Sequence, residues 1–125
     1  MFSYQNISKQ NPLSSKEDFV RIKEKILGKK YDLSLVFVDP KTAKKLNKDY
    51  RKKTYVPNVL SFPVDKNTGE IFICLEKSKA EAKDFEMTKT LYIKYLAIHG
   101  MLHLKGLDHG KKMEEEEERL LKVFG

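Results

Sequence analysis

The chain has 125 residues, 40% of them hydrophobic and 34% charged, with 25 Lys plus Arg against 18 Asp plus Glu for a net charge of +7. That length suits one domain with a core of its own, and the balance excludes a disordered chain or a membrane protein. No apolar run approaches the roughly twenty residues that span a bilayer, and MFSYQNISKQ lacks the basic-then-apolar pattern of a secretory signal, so a cytoplasmic location without a membrane partner is expected.

In chain order, FSYQNI predicts a short strand and SSKEDFVRIKEKILG a helix. Ser14 and Glu17 have capping-box spacing, Phe19, Val20, Ile22, Ile26 and Leu27 form an apolar face, and Gly28 can end the helix in a left-handed conformation. YDLSLVFVD is dense in β-branched and aromatic residues and too short for a buried helix, which predicts a strand. Asp39 and Pro40 fit the N-cap and first position of a helix with Ala43, Leu46 and Tyr50 at helical spacing. Next come a basic loop, RKKTYVPN, a short strand, VLSFPV, halted by Pro63, a turn, DKNTG, and a second strand, EIFICLE. Strands joined this closely predict antiparallel neighbours. Cys74, the lone cysteine, sits in the second of them and reads as a small buried hydrophobe. Residues 76–85 predict a helix, as do residues 88–105, whose apolar side carries Leu91, Tyr95, Ile98 and Leu102. A last, charged helix in KKMEEEEERLLKVF is held down by Met113, Leu120, Leu121 and Phe124, with the glutamates of residues 114–118 as its solvated face.

Charge and histidines are both unevenly placed. Setting aside Arg119, Lys122 and the five glutamates leaves 23 basic against 13 acidic residues over residues 1–113, or +10. Such an excess suits a polyanionic partner, of which nucleic acid is the commonest, although a merely lysine-rich protein would show it too. All three histidines, His99, His103 and His109, fall within the stretch HGMLHLKGLDHG. On a helix, His99 and His103 point the same way one turn apart, so two imidazoles can grip one ion. Were the helix to continue, His109 would lie about 9 Å further along the axis and about 120° round it, out of reach. The helix must stop and turn back, and Gly106 is placed to let it do so.

Three neutral imidazoles without a carboxylate or thiolate suit zinc, one ion per chain, with a fourth position open for water or substrate. An open position points to catalysis, because zinc lowers the pKa of bound water to about 7 and polarises the group attacked. The alternative is a packed core His99 with two surface histidines. Asp108 has two roles open to it, orienting a ligand ring as an acceptor or serving the turn. Zinc proteases of the metzincin type share the histidine spacing but carry a glutamate after the first histidine as general base; that position is Gly100 here.

HGMLHLKGLDH matches every fixed residue of H-G-x-L-H-L-x-G-x-D-H, and there the chain resembles the YbeY family of endoribonucleases. LNKDYRKK resembles the family's L-N-x-x-Y-R, and NVLSFP and GEIFIC resemble its D-V-L-S-F-P and G-D-I segments, so the likeness covers roughly residues 33–118. Asn58 and Glu70 stand where the family usually has aspartate. The resemblance implies one α+β domain over residues 1–125, with a small mixed β-sheet packed with helices and a zinc site on a helix and the following turn. It further implies cleavage of single-stranded RNA in ribosomal RNA processing and maturation, with ribosomal RNA and ribosome-associated proteins as partners. Arg51, matching the motif arginine, would serve the active site, where a guanidinium can hold phosphate bidentately. Judged by its residues alone, Arg51 is a surface arginine at a helix end. A metalloprotease-like hydrolase and a non-catalytic, zinc-braced ribosome- or RNA-binding factor are the competing readings.

Overall fold

The structure, a computed structural model, describes residues 1–125. Its elements are β1 (Phe2–Asn6), α1 (Lys16–Ile26), β2 (Asp32–Val38), α2 (Pro40–Arg51), β3 (Val59–Asp65), β4 (Thr68–Cys74), α3 (Leu75–Glu81), a 3-10 turn (Ala82–Phe85), α4 (Lys89–Lys105) and α5 (Lys111–Phe124). The four strands form one mixed sheet in the order β1-β2-β4-β3. β1, β2 and β4 run parallel, and β3 pairs antiparallel with β4 through the tight turn that DKNTG predicts. This is the α+β class with a small mixed sheet that the resemblance implied.

Alternation along the central strands decides what each face buries. Leu33, Leu35 and Phe37 of β2, with Ile71 and Ile73 of β4, join Phe19, Ile22 and Ile26 of α1 and the apolar residues of α4 in one core of 20 buried residues. Val36 and Val38 of β2 and Phe72 and Cys74 of β4 pack with Ala43 of α2 on the opposite face. Cys74 is 1% exposed, and burial raises its thiol pKa, as befits a small packed hydrophobe. The β-rich central strands thus form a layer covered on both sides, and α5 packs on the outer side of α4 through Met113 and Leu120.

Four local expectations are corrected. The capping box of α1 uses Ser15 and Asp18, not Ser14 and Glu17. Both pairs have the spacing, and the register that buries Phe19, Ile22 and Ile26 against the sheet selects the later one. Strand β3 is not halted by Pro63 but runs on to Asp65 through a register shift, because it is an edge strand and tolerates a missing donor. On α2, Tyr50 is 70% exposed, whereas Asn47 is fully buried. Helix α4 is buried on most of its circumference: Tyr92, Ile93, Leu96, Ala97, Met101 and Leu102 are enclosed, while Leu91 and Tyr95 are half-buried. Layers above and below α4 therefore override the one-sided pattern expected of a surface helix.

The cap correction is directly testable. Ser15→Ala should destabilise the fold by about 1 kcal/mol, as loss of an N-cap does. Ser14→Ala should be neutral or stabilising, because the Ser14 hydroxyl is buried without a partner. Urea unfolding midpoints of the two variants measure this, and the reverse order would return the cap to Ser14.

Candidate metal centre

Helix α4 presents His99 and His103 one turn apart and stops at Gly106, whose φ of 109° is in the left-handed region. The Gly106 N–H donates back to the His103 carbonyl, and the Leu107 N–H donates to the Leu102 carbonyl at 3.0 Å, closing the helix end. That reversal brings His109 back over the last turn. Ring centroids lie 4.7 Å apart for His99 and His103, 5.2 Å for His99 and His109, and 4.6 Å for His103 and His109. Three potential ligand atoms, one from each histidine, lie within 4.8 Å of one another. The structure thus assembles the three histidines that the spacing singles out.

Two hydrogen bonds set which ring nitrogens face the centre. The Glu117 carboxylate lies 2.7 Å from His99 Nδ1, and the Leu107 carbonyl lies 3.0 Å from His103 Nδ1. Both partners are acceptors, so Nδ1 carries the proton in each neutral ring and Nε2 keeps its lone pair for an ion. Burial, then the neighbouring His99 and His109, hold the His103 pKa below the ordinary histidine value, favouring the neutral form that can ligate. Glu117 is 5% exposed and has no lysine or arginine within ion-pair distance. A buried carboxylate without such a partner suits a position beside a bound cation. Burial, then the same carboxylate, raise the pKa of the Tyr95 phenol. The donor set therefore fits a metal ion.

Glu117 is the residue that sequence reasoning missed, since the glutamate run reads as a solvated face. One member of the run turns inward, and its only signal is helical phase: Met113, Glu117 and Leu120 share a face at spacings of four and three. Asp108 is exposed and makes no hydrogen bond to a histidine ring; Glu117 and the Leu107 carbonyl are the partners seen at His99 and His103.

The three histidines open on a cleft of about 370 Å³ whose other walls are Arg51, Asn58 and the start of β3 from Val59 to Ser61. Arg51 reaches it from the last turn of α2. Its Nη1 donates to the Asn47 side-chain oxygen at 3.3 Å and to the Tyr55 hydroxyl at 3.4 Å, while the Asn47 amide donates to the Tyr55 carbonyl at 3.0 Å. Buried Asn47 thus ties the basic loop and the arginine together. A neutral wall comes from Asn58, whose amide donates to Glu81 at 3.2 Å and to the Tyr92 hydroxyl at 3.4 Å.

Gly100 explains how α4 lies so close to the sheet. The Ser61 hydroxyl donates to the Gly100 carbonyl at 3.0 Å, and a Cβ added at Gly100 would meet Ser61 Oγ at 2.8 Å and Ile71 Cδ1 at 3.1 Å. Gly100→Ala should therefore cost about 1–3 kcal/mol through overpacking. Denaturant unfolding measures the loss, and an unchanged midpoint would show that the helix shifts freely.

Fold and site together define a class, a small α+β domain whose cleft can hold one metal ion on three imidazoles. A family model described as Endoribonuclease YbeY matches residues 3–125, and the chain belongs to that family. It is 31% identical to the Endoribonuclease YbeY of Mesoplasma florum over 92% of this chain and 71% of that one. It is 33% identical to that of Neisseria meningitidis serogroup B over 98% of this chain and 84% of the other. A solution structure of a Thermotoga maritima protein superimposes with a TM-score of 0.72 at 26% identity, covering 99% of this chain and 89% of that one.

Proposed function

We propose that this protein is a zinc-dependent endoribonuclease that cuts single-stranded RNA in the processing and maturation of ribosomal RNA. It works in the cytoplasm as one domain over residues 1–125, on ribosomal RNA and beside ribosome-associated proteins. The observation that carries the reading is the meeting of three convergent imidazoles and an arginine at one cleft in a chain of this family. His99, His103 and His109 hold one zinc ion, which when bound supplies Lewis acidity at a place where phosphate charge develops. Glu117 and the Leu107 carbonyl fix the rings of His99 and His103. The Arg51 guanidinium binds the scissile phosphate and stabilises the negative charge added during its displacement. The net charge of +7 assists by steering polyanions toward the surface.

Peptide hydrolysis is disfavoured by the same geometry. Gly100 supplies no general base and leaves no room for one, and the nearby carboxylate of Glu117 is engaged at Nδ1 of His99. The deciding experiment incubates the zinc-loaded protein with a single-stranded RNA, its duplex and a casein substrate, before and after chelation. Cleavage of the single strand alone, lost with zinc and restored by it, is expected. Cyclic phosphate ends on the products would identify the ribose 2′-hydroxyl as nucleophile, and 5′-phosphate with 3′-hydroxyl ends would identify water. Chelator-resistant cleavage, or casein cleavage in place of RNA cleavage, would overturn the proposal. RNA bound but left intact would make the protein a zinc-braced binding factor.

A further inference from the structure

A second pocket, of about 120 Å³, lies beside the metal cleft and shares Asn58, Val59 and His99 with it as walls. Its other walls are largely aromatic, supplied by Phe85, Tyr92 and Tyr95. The Phe85 and Tyr92 rings are stacked at 5.0 Å and 23°, and Tyr92 and Tyr95 at 5.9 Å and 22°. The next ring along is His99, 6.1 Å from Tyr95. Three near-parallel aromatic planes thus lead from the surface toward the metal centre, where the His99 ring follows, tilted by 38°.

Phe85 is 51% exposed, and the local backbone holds it there. It ends the 3-10 turn, and Glu86 follows in a left-handed conformation with φ 56°, its N–H donating to the carbonyls of Ala82 and Lys83. At the back of the pocket the Tyr92 hydroxyl donates to Glu81 at 3.2 Å and accepts from the Asn58 amide. The polar atoms there are paired among themselves, so the pocket offers ring faces and no free cation. No lysine or arginine lines this pocket, so it gives a phosphate nothing to pair with. The cleft next door has the opposite character, with Arg51 and three histidines. Charge therefore sorts a nucleotide into its two parts, phosphate to the cleft and base to the aromatic pocket.

We infer that the Phe85 pocket is a base-stacking subsite, which takes an unpaired nucleobase adjoining the phosphate held in the metal cleft. The inference rests on the ribonuclease reading and extends it with a physical origin for single-strand preference. A base can enter only after leaving its neighbours in the strand, which a paired duplex resists and a single strand allows. Stacking is indifferent to base identity, so the pocket selects for strandedness rather than sequence.

The test uses zinc-loaded protein and single-stranded RNA oligonucleotides of one sequence, intact or with an abasic ribose on one side or the other of the mapped cleavage point. Single-turnover cleavage gives the half-saturating protein concentration for wild type, Phe85→Ala, Phe85→Leu and Phe85→Tyr, with zinc content checked in each. Wild type should need roughly tenfold more protein for one of the two abasic strands, within the range for one stacked base. Phe85→Ala should need about as much for the intact strand and show no further loss with the abasic one. Phe85→Tyr should restore binding and Phe85→Leu should not, because leucine keeps the apolar contact but loses the ring face. Full recovery in Phe85→Leu, or an undiminished abasic penalty in Phe85→Ala, would overturn the subsite while leaving the ribonuclease reading intact. A wild type that neither binds nor cuts the intact strand would overturn both.

Discussion

Replacing His103 by alanine should strip the protein of zinc. The purified wild type is expected to carry close to one zinc per chain, and two remaining imidazoles, one of them on the turn after α4, make a poor site for the ion. His103 is the decisive position because its ring lies closest to both others, at 4.7 and 4.6 Å between centroids. Metal analysis together with competition against a chromophoric chelator measures the effect, and unchanged stoichiometry in His103→Ala would sink the site. A graded series extends the test to what surrounds the ligands. Glu117→Gln keeps the shape but weakens the acceptor on His99 Nδ1, and should lower zinc affinity by about tenfold to a hundredfold. Asp108→Ala should change it little, since Asp108 makes no hydrogen bond to a ring. A loss in Asp108→Ala matching that in Glu117→Gln would restore Asp108 to the role the sequence left open for it.

Truncation of Arg51 should separate chemistry from binding. The guanidinium lines the metal cleft but belongs to α2, so Arg51→Ala should leave zinc in place. If the side chain acts mainly on charge that develops during phosphate displacement, the cleavage rate should fall on the order of a hundredfold, with RNA affinity changed much less. Arg51→Lys keeps the charge but loses the planar fork, and should recover only part of the rate. Lys52 and Lys53 follow in the same basic segment and serve as controls. A general electrostatic tether would weaken RNA binding alike at all three positions, most visibly at low salt. Single-turnover cleavage, RNA affinity and zinc content of the four variants decide between the two. If Arg51→Ala cleaves like Lys52→Ala, Arg51 belongs to the basic surface and not to the reaction.

The features legible from the residues alone are short-range ones. The i, i+4 pair of His99 and His103, the stop at Gly106, the Asp39 and Pro40 start of α2 and the hairpin of β3 and β4 each depend on a few neighbouring residues, and each appears in the structure. Spacing makes them readable because helix phase, strand alternation and the freedom of glycine are set by local sterics. Arg51 is legible only through the likeness to a family motif, because by its neighbours alone it is a surface residue at a helix end. What only the tertiary structure decided lies at long range. Asn47 is buried because α2 covers the second face of the sheet. Gly100 must lack a side chain because Ser61, 39 residues away, lies against it. Glu117 meets His99, 18 residues away in sequence, because α5 folds back along α4. In a run of five glutamates only helical phase with Met113 and Leu120 sets the fourth apart, and that phase does not say what the carboxylate meets. It turns inward because Met113 and Leu120 bury the same helix face, and a carboxylate is accepted there because the His99 N–H awaits an acceptor.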